Sequence, residues 1–341
     1  MSELKKILVT GTLGFIGYHL TRRLLDEGHT VVGIDNINSY YDVRQKYAKL
    51  PELGIGQEGV WENVQYSSRR FPGFTFYKMD ITDRYSIEKL FEQEQFDLVC
   101  NLAAQAGVQY SIKNPHTYIS NNVTGFINII DACRAFDVKH LVYASSSSVY
   151  GNRKDVPFSE SDPVDQPISL YAASKKSNEL IAHTYSHLYG LKCTGLRFFT
   201  VYGPWGRPDM APFIFVNRIM KGEQIKVFNN GHMQRDFTYV ADIIEGMMRV
   251  IEGGNNKSDY KIYNIGHAGP VNLMDFIRVI EKVLGKKADI KFMPTRPGDV
   301  EKTWADVTGL ENDFGYRPRI GIEEGIRAFV DWKMHYDQMI K

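Results

Sequence analysis

A glycine-rich turn near the start constrains the fold of this chain more than any other feature. Gly11, Gly14 and Gly17 follow an apolar run at Ile7–Thr10, which predicts a strand, and they precede a segment with the apolar spacing of a helix. Glycines let the backbone turn tightly and approach a bound group, and the helix N terminus adds free N–H groups and positive partial charge. This arrangement favours a binding site for a dinucleotide pyrophosphate over a turn that serves the chain alone.

An acidic residue at the end of the second predicted strand supports the same interpretation. Asp35 follows Thr30–Ile34, where it is placed to accept hydrogen bonds from the 2′-hydroxyl of an adenosine ribose. Its negative charge would repel the 2′-phosphate of NADP. We therefore expect NAD as the cofactor; the alternative is a polar strand end without that role.

The first half of the chain alternates short apolar runs with helical patterns, which is typical of βαβ units. Further strands are predicted at Phe74–Lys78, Leu98–Ala103 and His140–Ala144, all apolar on both faces, as in a parallel sheet covered by helices. We predict an α/β fold, with a Rossmann-type doubly wound parallel sheet over residues 1–200 and a smaller α/β substrate lobe over residues 201–341. A segment near 236–266 is expected to return to the first domain.

Four other segments complete this prediction. Residues 36–73 are too long for a simple loop and should contain some helix. Helices are predicted around Asn128–Ala135 and, in the second half, at Met274–Leu284 and Glu323–Tyr336.

Composition and charge argue against several classes of protein. Lys and Arg total 41 against 40 Asp and Glu, a net charge of +1, so neither nucleic acid nor a membrane surface is expected as a partner. No apolar run approaches the roughly 20 residues of a membrane span, and no signal peptide is recognised. The three cysteines, Cys100, Cys133 and Cys193, form no Cys-x-x-Cys motif, which favours a reducing compartment. We expect a cytoplasmic protein with Cys100 in the core.

Three Tyr-x-x-x-Lys matches occur, and one is placed for catalysis. Tyr85–Lys89 is expected on the surface of a helix, and Tyr150–Lys154 is expected to be non-helical. Tyr171–Lys175 begins a long helical stretch. Because residues four apart share a helix face, Lys175 should lie beside the Tyr171 phenol and lower its pKa from about 10, which would make it a general base.

A serine cluster, Ser145–Ser148, ends the strand that starts at His140, and ligands bind at such strand ends in doubly wound sheets. Ser146 lies 25 residues before Tyr171. We expect it in the same site, the alternative being a polar turn. His183 and His187 lie one helical turn apart, but position 184 is not Glu and no third ligand is evident, so no metal is expected.

These motifs resemble the extended short-chain dehydrogenase/reductase family, and the resemblance covers nearly the whole chain. This resemblance rests on the glycine spacing and on the Ser…Tyr…Lys set. Three stretches resemble UDP-glucuronate 4-epimerases: Ala-Ser-Ser-Ser-Ser-Val-Tyr-Gly at 144–151, Tyr-Ala-Ala-Ser-Lys at 171–175, and Arg-Phe-Phe-Thr-Val-Tyr-Gly-Pro-Trp-Gly-Arg-Pro-Asp-Met-Ala at 197–211. The resemblance implies Ser146, Tyr171 and Lys175 as catalytic residues. It implies these NAD contacts: Gly11, Gly14, Phe15, Ile16, Gly17, Asp35, Asn36, Asp80, Ile81, Leu102, Ala103, Ala104, Gln105, Asn122, Ala144, Tyr171 and Lys175.

Two further stretches, Arg-Asp-Phe at 235–237 and Arg-Pro-Gly-Asp at 296–299, resemble the nucleotide-sugar signatures of UDP-sugar epimerases. The resemblance implies that arginines bind the diphosphate, that Asp299 binds the uridine ribose and that Phe228 packs on uracil. The implied substrate contacts are Ser146, Ser147, Ser148, Thr200, Arg207, Val227, Phe228, Arg235, Arg296 and Asp299.

The residues of the serine loop distinguish this chain from two other classes of enzyme with the same fold. Nucleotide-sugar 4,6-dehydratases carry Asp-Glu before Val-Tyr-Gly and UDP-glucuronate decarboxylases carry Glu, whereas this chain has Ser147 and Ser148. Thr303 stands where UDP-galactose epimerases often have Tyr, and Gln109 stands where the compared glucuronate epimerases have Arg.

The resemblance implies a homodimer that interconverts UDP-glucuronate and UDP-galacturonate by transient oxidation at C4. The alternatives are a UDP-N-acetylhexosamine or UDP-galactose 4-epimerase, a UDP-glucuronate decarboxylase, and a non-catalytic NAD-sensing protein.

Overall fold

The computed structural model describes residues 3–56, 59–254, 258–296 and 298–339. The elements up to residue 198 are β1 (Lys6–Thr10), α1 (Phe15–Asp26), β2 (Thr30–Asp35), α2 (Arg44–Tyr47), α3 (Lys49–Glu52), β3 (Gln65–Ser67), β4 (Phe74–Lys78), α4 (Arg84–Glu94), β5 (Leu98–Asn101), α5 (Val108–Lys113), α6 (Pro115–Tyr118), α7 (Gly125–Ala135), β6 (His140–Ser146), α8 (Leu170–Tyr189) and β7 (Lys192–Phe198). A π-helical turn at Ile119–Thr124 joins α6 to α7, and a 3₁₀ turn at Ser147–Tyr150 follows β6.

Shorter elements follow in the second half. They are β8 (Thr200–Tyr202), α9 (Ala211–Lys221), β9 (Ile225–Val227), β10 (Gln234–Tyr239), α10 (Val240–Glu252), β11 (Tyr260–Ile265), β12 (Pro270–Asn272), α11 (Leu273–Leu284), β13 (Ile290–Phe292), β14 (Lys302–Thr303), α12 (Thr308–Phe314) and α13 (Ile322–Met339).

The large sheet confirms the predicted Rossmann-type topology. Its strand order is β11-β7-β6-β5-β1-β2-β4-β3, and within the described residues β3 alone runs antiparallel to its neighbour. The strand order reverses at β1, so the crevice at the carboxyl ends of β1 and β5 is where ligands bind in such sheets. Apolar side chains cover both faces, with α1 and α10 on one side and α4, α7 and α8 on the other.

Two strand ends differ by two residues from the sequence-based expectation. The strand predicted at Leu98–Ala103 ends at Asn101, because the N–H groups of Leu102 and Ala103 donate to Thr10 Oγ1 at 3.1 and 2.9 Å instead of continuing a ladder. The strand predicted to end at Ala144 continues to Ser146, since β7 pairs with it to the end.

The other predicted elements agree with the structure. The predicted helices lie within α7, α11 and α13, and residues 36–73 contain α2, α3 and β3. Cys100, Cys133 and Cys193 are all buried. No helix in the described ranges is long and apolar enough to cross a membrane.

The smaller lobe has its own core, built from α9, α11, α13 and the strands between them. Its strand β10 pairs with β8, β12 and β14. By contrast, α10 packs on α1, and β11 forms an edge of the large sheet. These contacts support our proposal that the segment near 236–266 returns to the first domain, with the lobe boundary near residue 200.

Candidate active site

A cavity of about 950 Å³ opens at the carboxyl ends of the large sheet and extends between the sheet and the smaller lobe. It brings together the glycine turn, the serine loop, the Tyr171 helix and the arginines of the smaller lobe. The described residues hold no group of three or more His, Cys, Asp or Glu side chains arranged for a metal ion. The cavity is therefore the site on which the sequence motifs converge.

Three of the expected contact residues do not line this cavity. Asp80 lies behind it and accepts hydrogen bonds from Asn36 Nδ2 and Thr82. Asn122 is buried and bonds both the N–H and the C=O of Gln105, so it fixes the loop that lines the cavity. Val227 is fully buried in the core of the smaller lobe. Each of these three side chains supports the cavity wall in this structure, and its direct contact with a ligand stays a prediction.

The glycine turn packs so closely against neighbouring backbone that side chains would not fit at two of its positions. A Cβ on Gly11 would lie 2.9 Å from the Ala103 backbone nitrogen, and one on Gly17 would lie 2.1 Å from the Gly11 carbonyl oxygen. Gly14 begins α1 without a side-chain cap. The first N–H groups of the helix therefore face the cavity as donors for an anion, which is the arrangement that NAD requires.

Asp35 is buried beside this turn and is already engaged within the protein. Its Oδ2 accepts from the Leu13 N–H at 3.1 Å, and its Oδ1 accepts from the Ile37 N–H at 2.8 Å. Lys46 Nζ also donates to Oδ1 at 3.1 Å, and both side chains are nearly inaccessible to solvent. The expected isolated negative charge is thus a compensated ion pair.

Lys49, like Lys46, lies beside the glycine turn although no sequence pattern indicated it. It is fully buried, and its Nζ donates to the carbonyl oxygens of Leu13 and Gly14 at 2.8 and 3.2 Å. Burial lowers the pKa of Lys49 to about 7. This lysine fixes the turn from behind, but nothing in its sequence surroundings indicates which way its side chain points.

Tyr171 and Lys175 lie at the start of α8, which Ser169 caps by accepting from the Ala172 N–H at 3.1 Å. Burial raises the pKa of Tyr171, while a hydrogen bond with Ser146 and the charge of Arg207 oppose the increase. The Lys175 ammonium instead donates to the Ala144 carbonyl oxygen at 2.7 Å, and burial lowers its pKa to about 8.

In this structure Lys175 is bonded to the backbone of β6, and the expectation that it lowers the pKa of Tyr171 stays a prediction. The backbone at the end of β6 holds this ammonium group in place of the phenol. A positive group that opposes the increase in the pKa of Tyr171 is Arg207, which comes from the loop after β8.

The serine loop is held from behind by a buried ion pair. Arg197 Nε and Nη2 donate to the two carboxylate oxygens of Glu179 at 2.8 and 2.9 Å. Ser145 Oγ donates to the same carboxylate at 2.7 Å. Glu179 lies one helical turn beyond Lys175 on α8, so the pair fixes the serine strand end against the helix that carries the tyrosine. Ser148 Oγ in turn donates to Ser146 Oγ at 2.9 Å.

The far end of the cavity presents arginine and aromatic side chains. The Arg296 guanidinium lies 3.9 Å from the centroid of the Phe228 ring and donates to Asp299 at 3.0 Å. Gln109 Nε2 lies 3.5 Å from the other Asp299 oxygen. Arg235 is held by backbone carbonyls of Gln234 and of 300–301, and burial lowers its pKa to about 10.

A cluster above the serine loop links the 36–73 segment to the substrate lobe. Arg207 pairs with Asp209, and Tyr40 Oη donates to the same carboxylate at 2.9 Å. The Tyr40 ring contacts Tyr110 at 4.8 Å between centroids. No sequence motif predicted this contact, because it joins residues that lie 169 positions apart.

The chain belongs to the NAD dependent epimerase/dehydratase family, whose model matches residues 7–266. It is 49% identical to "Protein CapI" of Staphylococcus aureus, over 97% of this chain and 99% of that protein. It is 44% identical to "UDP-glucuronate 4-epimerase 5" of Arabidopsis thaliana, over 97% of this chain and 76% of that protein. The crystal structure of UDP-glucuronic acid 4-epimerase from Bacillus cereus, in complex with UDP-glucuronic acid and NAD, matches with a TM-score of 0.86 at 31% identity, covering 97% and 99% of the two chains.

Proposed function

We propose that this protein is an NAD-dependent 4-epimerase that interconverts UDP-glucuronate and UDP-galacturonate. The observation that carries the proposal is the serine loop. It places hydroxyl groups, and no carboxyl group, beside Tyr171 in a cavity with the glycine turn at one end and arginines at the other. The relatives named for UDP-glucuronate epimerisation support the same substrate.

Tyr171 is the proposed base. As a phenolate it takes the proton of the sugar 4-hydroxyl, and Ser146, hydrogen-bonded to it, orients that hydroxyl. The chemistry that bound NAD supplies is reversible acceptance of the C4 hydrogen as a hydride, so the cofactor is regenerated. Rotation of the 4-keto sugar about its diphosphate linkage then exposes its other face, and Tyr171 returns the proton.

Lys175 and Arg207 have separate proposed roles in this step. Lys175 is held on Ala144 beside the cofactor end of the cavity, and it contributes a buried positive charge there. Arg207 favours the phenolate directly through its charge.

The serine loop also accounts for the proposed restraint on decarboxylation. A 4-keto glucuronate is a β-keto acid, and it loses CO₂ when the breaking bond overlaps the carbonyl π system. Hydroxyl groups of Ser147, Ser148 and Thr200, with the Arg207 guanidinium, line the cavity where they would hold the carboxylate near the plane of the carbonyl. Ser147 and Ser148 also leave no carboxylic acid for dehydration chemistry.

The other end of the cavity is the proposed UDP site. Phe228 offers a ring face for uracil, although Arg296 covers that ring in this structure. Arg235 and Arg296 supply positive charge for the diphosphate, and Asp299 accepts from the uridine ribose. Thr303, beside Arg235 in the smaller sheet, leaves room for a substituent on the sugar.

A homodimer is part of the proposal. Exposed apolar side chains lie on α5, the π-helical turn, α7 and α8, on one side of the large sheet. They are Ile112, Ile119, Ile127, Leu180 and Leu188. An apolar group of this kind supports association with a second copy.

Purified protein incubated with UDP-glucuronate, UDP-galactose and UDP-N-acetylglucosamine in parallel should convert the first fastest, because only that substrate has a carboxylate for the serine loop and Arg207. NMR of the products should show UDP-galacturonate and little UDP-pentose. A clear preference for a neutral sugar would refute the carboxylate assignment, and Gln109, which lies against Asp299, would be the first residue to vary.

A further inference from the structure

The buried pair of Asp35 and Lys46 changes how this site selects its cofactor. A lone carboxylate at the end of β2 would exclude NADP through charge repulsion. Here the Lys46 ammonium lies 3.1 Å from Asp35 Oδ1, and the side chains keep 6% and 5% of their exposure. Opposite charges this close and this far from solvent leave the pair of Asp35 and Lys46 with no net charge.

Lys46 faces the cofactor end of the cavity. It lines the cavity together with Asp35, Asn38 and Tyr41, and it also donates to Asn38 Oδ1 at 3.3 Å. The ammonium lies 5.6 Å from the centroid of the Tyr41 ring. The residue comes from α2, within the long connection after β2, and the fold brings it back onto the carboxylate that ends β2.

We propose that Lys46 is a specificity-determining residue for the cofactor. Its ammonium group could bind the 2′-phosphate of NADP, but in the native protein the Asp35 carboxylate already binds that group. This inference rests on the proposed use of Asp35 to bind the adenosine ribose of NAD. In the native protein a 2′-phosphate must compete with the Asp35 carboxylate for Lys46. Selection against NADP therefore depends on the ion pair that keeps the Lys46 ammonium group bound to the Asp35 carboxylate.

Replacing the carboxylate should weaken the selection against NADP. In Asp35→Asn the amide still accepts a backbone N–H, but the buried ammonium loses its ionic partner and is available to a phosphate dianion. Hydrogen bonds to charged groups are strong enough to change a Kd by about tenfold or more. We expect the Kd for NADPH to fall by about that factor relative to the wild type.

The measurement is nicotinamide fluorescence during titration with NADH and NADPH, after removal of co-purified nucleotide. Asp35→Asn/Lys46→Met should lose the gain in NADPH affinity, because it lacks the ammonium. Asp35→Asn/Lys78→Met is the matched control, since Lys78 pairs in register with Asp35 on β4 but directs its ammonium to Glu62. That control should keep the gain.

Equal NADPH affinity in Asp35→Asn and Asp35→Asn/Lys46→Met would overturn the proposal. If Asp35→Asn does not fold, Lys46→Met alone decides the matter. It leaves the carboxylate uncompensated, so it should increase the preference for NADH over NADPH by about tenfold, and an unchanged preference would also overturn the proposal. No sugar is present in these titrations, so their outcome is independent of the UDP-glucuronate assignment.

Discussion

Tyr171→Phe should lower kcat by at least about 100-fold while the protein still binds NAD. The variant loses one oxygen, the group proposed to move the proton of the 4-hydroxyl. It keeps the ring that packs edge-on against Tyr118 at 6.0 Å between centroids. Steady-state turnover of UDP-glucuronate and NADH titration of the same preparation separate the two effects.

Tyr185→Phe is the matched control for this prediction. Tyr185 lies on the same helix, but its hydroxyl bonds Asp131 at 3.3 Å, outside the cavity. The control should turn over within about twofold of the wild type, a much smaller change than loss of an acid–base group. Turnover of Tyr171→Phe within about tenfold of the wild type would remove Tyr171 from the role of base.

Glu179→Gln should strongly destabilise the fold. Glu179 and Arg197 are almost fully buried and form two parallel hydrogen bonds. Removal of one partner leaves the other charge buried without an ionic partner, which typically lowers the free energy of unfolding by about 3–5 kcal/mol. Denaturant unfolding measures this change.

The same variant should also lower kcat more than it changes KM, because Ser145 loses its anchor at the end of the serine loop. Glu245→Gln is the control: its partners Arg23 and Arg249 are partly exposed, and such pairs contribute about 0.2–1 kcal/mol. Adding Arg197→Met to Glu179→Gln should recover part of the stability, since the fully buried guanidinium is then no longer left without a partner. An unfolding free energy for Glu179→Gln within about 1 kcal/mol of the wild type would contradict the account of this pair.

The sequence predicted the parts of this site that short segments define. The glycine turn, Asp35 and the Tyr171–Lys175 spacing are local patterns in which the backbone geometry follows from the residue types. The strands that carry them are continuous apolar runs between turns, so their place in a parallel sheet followed as well.

Contacts across the fold were not predictable in the same way. Lys46 and Lys49 lie in a segment without periodicity, and only the tertiary structure shows that one meets Asp35 and the other meets the glycine turn. Lys175 and Tyr171 do share a helix face, as predicted. The accessible acceptor for the ammonium, however, is a carbonyl of β6, which the helical spacing does not reveal.

The most direct test of transient oxidation at C4 uses UDP-glucuronate labelled with deuterium at that carbon, in ordinary water, with NMR analysis of the product. Our account predicts UDP-galacturonate that retains deuterium at C4, because the hydrogen that leaves as hydride is the one that returns. UDP-galacturonate without the label would contradict the mechanism. No conversion of UDP-glucuronate, in a preparation that epimerises a neutral UDP-sugar, would contradict the proposed substrate.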